Sequence, residues 1–187
     1  MYKRQTFELE WLELSEKMMH YILEHFYDSG SSMFFFTSDL DPKLVARKME
    51  VHDDVVPASN SVLANSLFDL GVIRANNKYK NMAASILNNI KPKMDSYFTS
   101  YANYANLLLK YTKPFYEVVI TGQDAFKKSI KINNFYSPNK LLIGGDNSNY
   151  IPLLKGKKSN NLFYYICEDG LCKQPTSDIK EAINLLQ

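Results

Sequence analysis

Three groups of residues in this 187-residue chain have types and spacing that could do chemistry. The first is His52-Asp53-Asp54, followed past Pro57 by Asn60 and Ser61. Neighbouring carboxylates in a loop can serve as acid and base when burial separates their pKa values. Serine, histidine and aspartate are all present by type, but no nucleophile elbow surrounds Ser59 or Ser61. The competing expectation is structural, since such a loop can cap the helix after it and hydrogen-bond its own backbone. Asp53, Asp54 and His52 are therefore the catalytic candidates, and Asn60 and Ser61 the substrate-binding ones.

The second group is the pair Cys167 and Cys172, the only cysteines of the chain. If Asp169-Gly170 forms a two-residue turn, Glu168 and Leu171 are the hydrogen-bonded pair beside it. Cys167 and Cys172 are then the next pair, of the non-hydrogen-bonded kind, whose close Cα spacing admits a disulfide. Three readings stay open: two free thiols packed in a hairpin, a facultative disulfide, or a metal or redox role. Zinc would need two further ligands, and His20, His25 and His52 are remote in sequence. The spacing is not the C-x-x-C of a thioredoxin active site either.

The third group, Gly144-Gly145-Asp146, follows an apolar run, as phosphate loops do. It lacks the glycine spacing and the lysine of the nucleotide fingerprints, so a tight turn is expected. His20 and His25 stand five apart on a helical stretch, not the four of a paired metal site. The sequence calls for no metal and no cofactor.

These residues must be held by elements that the pattern of apolar side chains outlines. Phe7, Trp11, Leu14, Met18, Ile22 and Phe26 step by threes and fours, one helical stripe over 7–26. MFFFT (33–37) is β-prone, and after the turn at Asp41-Pro42 a second extended piece, LVARKMEV, follows. Pro57 bars helix, and Ser59 or Asn60 can cap the next one. Three helices are then expected. The first runs about Ser61–Leu70 and stops at Gly71. The second carries Tyr79, Met82, Ala83, Ile86, Leu87 and Ile90 and stops before Pro92. The third runs about Tyr97–Tyr111, with Tyr97, Tyr101, Tyr104, Ala105 and Leu108 on its stripe. Short loops should pack neighbours antiparallel.

After Lys113-Pro114 the rhythm shifts to YEVVITG (116–122), a helix over 123–132, KLLIGG (140–145) and NLFYYIC (161–167). That order reads as a small α/β unit. A short terminal helix should start at Ser177-Asp178. The fold class is thus mainly α with a small α/β C-terminal part, divided near residue 113.

Composition narrows the function classes. With 45% hydrophobic and 13% aromatic residues the chain should fold, not remain disordered. No apolar run approaches the ~20 residues of a membrane span, and the opening residues lack a signal-peptide core. Cytoplasm is the default expectation, with no membrane partner. Net charge is +2, with an acidic stretch over 1–60 and a basic remainder. The lysines over 127–158 are interrupted by turns and asparagines, so a solvated surface is expected and nucleic acid is not.

Read in order, FFFT, LVARKMEVHDDVVPASNSVLANSL, EVVITG, IPLLKGK and YICEDGLCKQPTSDIKEAINLL resemble the C-terminal part of the YyaL-like thioredoxin-domain-containing proteins, a family with a vertebrate spermatogenesis-associated relative. The resemblance covers the chain from about residue 7. Its motifs fall at Asp53, Pro57, Asn60, Ser61, Cys167, Cys172 and Pro175. Two positions depart from it: Ser59 stands where the family commonly has glycine, and Ser32-Met33 stand where it favours a glycine pair. The resemblance implies an N-terminal thioredoxin-like domain followed by an (α/α)6 toroid of the six-hairpin glycosidase type, shared with N-acylglucosamine 2-epimerase-like enzymes. On that footing residues 6–113 are the last helical hairpins of an incomplete toroid, and 114–187 an appendage carrying the Cys-x4-Cys hairpin.

Residues 1–5, MYKRQ, match the translation of a transposase mosaic end used in library adapters, with a GTG start read as Met. They are expected to be an adapter-derived artefact. Two functions follow from the resemblance. One is a carbohydrate-binding or carbohydrate-modifying site in the intact toroid. The other is a non-catalytic scaffold serving the fused thioredoxin-like domain. No catalysis is expected of this stretch alone.

Overall fold

The structure, a computed structural model, describes residues 7–42, 45–145, 150–157 and 159–186. The expectation for residues 1–5, and Asp146 of the glycine turn, lie outside them. The chain divides into two compact units. One consists of Leu14–Val72 and Asn76–Leu109; the other of the residues up to Glu13, Ile73–Ala75 and the chain from Lys110 onward. The architecture is mainly α with a small α/β part.

Helix α1 spans Leu9–His25. Its buried line is Leu12 and Met19, whereas Leu14, Met18 and Tyr21 are exposed. The expected stripe through Leu14 and Met18 is thus turned by roughly one residue. Both lines keep helical spacing, so periodicity alone does not say which faces inward. Strands β1 (Tyr27–Asp28) and β2 (Met33–Phe34) form a small antiparallel hairpin. The Asp28 carboxylate folds its turn by accepting from the Ser31 hydroxyl at 2.6 Å and the Ser31 amide at 3.1 Å. Ser32 sits at φ 57°, a left-handed conformation that glycine holds more cheaply.

The second extended piece forms no ladder. From Val45 it makes one backbone bond, Lys48 accepting from the Phe36 amide at 2.8 Å. Arg47 pins it instead, donating to the Thr37 carbonyl (2.6 Å) and the His25 carbonyl (3.2 Å), with the guanidinium 4.1 Å from the Phe35 ring centroid.

Helix α2 spans Ser59–Ile73 and α3 Asn77–Met94. Gly71 does not stop α2. A side chain there would meet the Lys80 amide and the Asn76 carbonyl at 3.0–3.1 Å, so this glycine is where the start of α3 comes closest. Its carbonyl accepts from the Asn76 amide at 2.8 Å. The helix ends two residues further on at Ile73, and Ala75 then turns left-handed at φ 51°. Asn76 caps α3 by accepting from the Tyr79 amide. Pro92 lies inside α3, not beyond it. It withholds one amide from the solvent-facing Asn88 carbonyl while Met94 remains buried, a small loss this close to a helix end.

A 3-10 turn over Phe98–Tyr101 leads into α4, Ala102–Thr112. That tighter turn shifts the phase of the stripe. Tyr101, Tyr104 and Leu107 are buried, while Tyr97 is exposed.

In the other unit β3 (Tyr116–Thr121) lies between β4 (Lys140–Gly144) and β5 (Phe163–Glu168), with β6 (Leu171–Cys172) beyond β5. β3 runs parallel to β4 through the crossover helix α5 (Ala125–Asn133) and antiparallel to β5. Lys140 closes α5, its ammonium donating to the Ile132 and Phe135 carbonyls at 3.0 and 2.6 Å. Val118, Ile120, Leu142, Tyr164 and Ile166 on one sheet face form a core with Phe7, Ala125, Ile132, Ala182 and Leu186. Gly144 gives the Phe7 ring its place, since a Cβ there would stand 2.4 Å from it. The terminal helix α6 (Ile179–Asn184) is capped by Asp178, which accepts from the Lys180 amide. No helix among the described residues is long and apolar enough to cross a membrane.

Candidate functional site

Asp53 and Ser61 meet where the loop bends over 54–56 and leads back onto the first turn of α2. Asp53 is buried, and three protein donors fill most of the lone-pair positions of its carboxylate. One oxygen accepts from the Ala58 amide at 3.0 Å and the Ser61 hydroxyl at 2.6 Å. The other accepts from the Asn103 amide at 2.8 Å. Its own amide donates to the Ser100 carbonyl at 2.7 Å. A single side chain thus ties the loop to the start of α2 and to the start of α4.

Ser61 is fully buried and also accepts from the Asn103 side-chain amide at 3.0 Å. Asn65, one turn further along α2, donates to the Ser61 and Asn103 carbonyls at 3.1 and 3.0 Å. The Ser61 hydroxyl is therefore sealed inside a polar network.

Asn60 is fully buried as well. Its side-chain oxygen accepts from the Phe34 amide at 2.8 Å, and its nitrogen donates to the Phe34 and Glu50 carbonyls at 2.9 Å each. The primary amide carries a donor and an acceptor on one plane, so it pairs with Phe34 as a strand residue would. Asn60 is not the cap of α2; it belongs to the helix, and its side chain anchors β2.

His52 and Asp54 do not join this network. His52 is exposed, with its ring 5.3 Å from that of Tyr101. Asp54 is exposed on the same loop. The structure therefore brings Asp53, Asn60 and Ser61 together and leaves His52 and Asp54 outside; among the described residues no Ser-His-Asp relay forms. Tyr104 is buried beside this cluster. Burial first, and the Asp53 charge second, push its phenol well above the ordinary tyrosine range.

The residues that sequence reasoning missed are Asn103, Asn65, Glu50 and the Phe34 backbone. Asn65 lies four after Ser61, a helical spacing that could have indicated it. The others are joined to the site only by tertiary contact.

Cys167 and Cys172 are disulfide-bonded, with their Cα atoms 3.8 Å apart. They are paired in register across β5 and β6, with Glu168 opposite Leu171 and Asp169-Gly170 both at positive φ between them. Cys167 is buried and Cys172 exposed. The buried Glu117 of β3 accepts from the Gly170 amide at 3.0 Å, holding the hairpin tip against the central strand. No group of three or more metal-ligating side chains occurs among the described residues. His25 bonds Asp39 at 2.9 Å, and His20 is exposed.

No protein-family model matches the chain, and no curated protein matches it.

Proposed function

We propose that the chain is a non-catalytic scaffold module, the C-terminal portion of a thioredoxin-domain-containing protein of the YyaL-like kind, whose helices are the last hairpins of an (α/α)6 toroid. The observation that carries the scaffold reading is the engagement of Asp53. Its carboxylate is spent on the Ala58 and Asn103 amides and on a buried serine, so it is a clasp and not an acid or base waiting for substrate. Two further observations support the family reading. Ser32 takes a left-handed conformation where the resemblance expects glycine. Leu14, Met18 and Tyr21 leave an apolar row exposed on α1, a face of the kind a neighbouring hairpin covers.

The test is a thermal-shift screen of the intact full-length protein against neutral mono- and oligosaccharides. A scaffold gives no shift across the set. A saturable rise in Tm with any neutral sugar, together with perturbed amides over 52–61, would establish the carbohydrate-binding alternative instead.

A further inference from the structure

The α/β unit carries a cleft of about 350 Å³ that none of the chemistry above uses. Its sides are Lys128 and Lys131 of α5 and the Ser177–Ile179 segment that leads into α6, and its floor is Leu162 and Tyr164. Helices α5 and α6 supply Ala125, Ile132 and Ala182 to the same core as Tyr164. The cleft therefore opens between two helices packed on one sheet face. Its rim is held in place, because Tyr164 and Thr176 exchange both backbone hydrogen bonds at 2.8 and 3.1 Å. The volume lies at the lower end of small-molecule sites.

The lining is chemically uneven. Lys128 and Lys131 stand three apart, so they share one helix face. Neither has a carboxylate partner among the described residues, whereas Lys127 on the neighbouring face pairs with Asp124 at 3.1 Å. Opposite them are the Ser177 hydroxyl and Asp178. One Asp178 oxygen is committed to the Lys180 amide at 2.8 Å, which leaves the other able to accept from a hydroxyl. Leu162 and Ile179 are partly buried against the core and give the cleft apolar lining. Lysines are compact, mobile point charges, and two of them on one face match the nearly double negative charge of a phosphate monoester.

We propose that this cleft binds a phosphate monoester of a small hydroxyl-bearing molecule. The phosphate lies between Lys128, Lys131 and the Ser177 hydroxyl, and a hydroxyl of the body donates to Asp178. The site is independent of the Asp53 clasp, which lies in the other unit and carries the scaffold reading.

The test is an amide-resolved NMR titration of the full chain at constant ionic strength, with glycerol 3-phosphate, inorganic phosphate and glycerol as separate probes. Glycerol 3-phosphate should give saturable shifts at residues 128, 131, 162 and 177–179. Inorganic phosphate should bind more weakly at the same amides, and glycerol not at all. The double variant Lys128→Gln/Lys131→Gln should weaken binding by about tenfold or more, equivalent to ~1.4 kcal/mol, and Ser177→Ala by a smaller factor. Lys127→Gln should leave it unchanged. Shifts that never saturate, or that Lys127→Gln reduces as much as the double variant does, would overturn the site in favour of diffuse charge attraction. Perturbation confined to 52–61 would overturn it too, and would bear on the scaffold reading separately.

Discussion

Asn60 shows how much a single amide can hold. Its three hydrogen bonds reach Phe34 and Glu50, residues separated from it by 26 and 10 positions. Asn60→Asp sets a carboxylate oxygen against two carbonyl oxygens that now lack their donor. The expected loss is about 3 kcal/mol in urea unfolding, since burying an unpaired acceptor forfeits its full desolvation cost. Asp53→Asn is milder. One of its oxygens becomes an amide nitrogen facing protein donors, for an expected cost of about 2 kcal/mol. A variant within ~0.5 kcal/mol of the parent would show that the clasp is not what positions the loop. Asp28 behaves differently, because its partners lie in its own turn. The Ser31 hydroxyl chiefly, and the Ser31 and Gly30 amides, hold its carboxyl below the ordinary aspartate range. A carboxylate with a depressed folded pKa stabilises above its unfolded pKa, and that contribution is lost as pH falls through the folded one. Carbon-detected NMR titration should find Asp28 protonating below the ordinary aspartate range, and Ser31→Ala should raise its midpoint.

Among the elements, the disulfide hairpin and the glycine contact of α2 give the sharpest tests. The bond closes a loop of sequence separation 5, and loop-closure entropy gives a cross-link this short about 2 kcal/mol. Reduction should lower stability by no more than that while the rest of the sheet persists, because β3, β4 and β5 pair without it. Global unfolding on reduction would contradict this. Gly71→Ala should cost about 1–3 kcal/mol, as a methyl group has no room beside Asn76 and Lys80. These same elements show what could be read in advance. The hairpin register at Cys167–Cys172 was legible, because an Asp-Gly turn fixes its flanking pairs by local rules. The apolar runs of β3, β4 and β5 were legible for the same reason. Gly71 and Pro92 misled, because a residue's intrinsic preference against helix is worth only a few kcal/mol and tertiary contact outweighs it. The face of α1 misled because Leu14 and Met18 keep a helical spacing just as the buried Leu12 and Met19 do. The clasp was half visible: Asp53 and Ser61 were apparent from the loop, but Asn103 arrives from α4, which no local pattern connects to it.

At the scale of the whole molecule, buried phenols set an alkaline limit. Tyr79, Tyr104 and Tyr164 all have their ionisation pushed upward, in each case chiefly by burial. A tyrosine whose folded pKa exceeds its unfolded value stabilises fully below the unfolded value, about 10. That stabilisation is lost as pH rises through the interval up to the folded value. The tyrosinate absorbance of Tyr79, Tyr104 and Tyr164 should therefore appear only as the far-UV circular dichroism collapses. Titration of every phenol before any loss of helix would refute it. Acid and base are not the only routes to irreversible loss. In an unfolded chain the Ser61 backbone nitrogen can attack the Asn60 side-chain carbonyl and expel its nitrogen as ammonia, and water then opens the resulting cyclic imide to a carboxylate. In the folded molecule that amide is clamped to two carbonyls and its neighbour is helical, so the reaction has no geometry to start from. The strand-like grip of Asn60 on Phe34 thus doubles as protection against chemical ageing. Each excursion to the unfolded state risks leaving an aspartate or its β-linked isomer that cannot regain the grip, so at fixed pH and temperature the fraction able to refold should fall with total time spent unfolded.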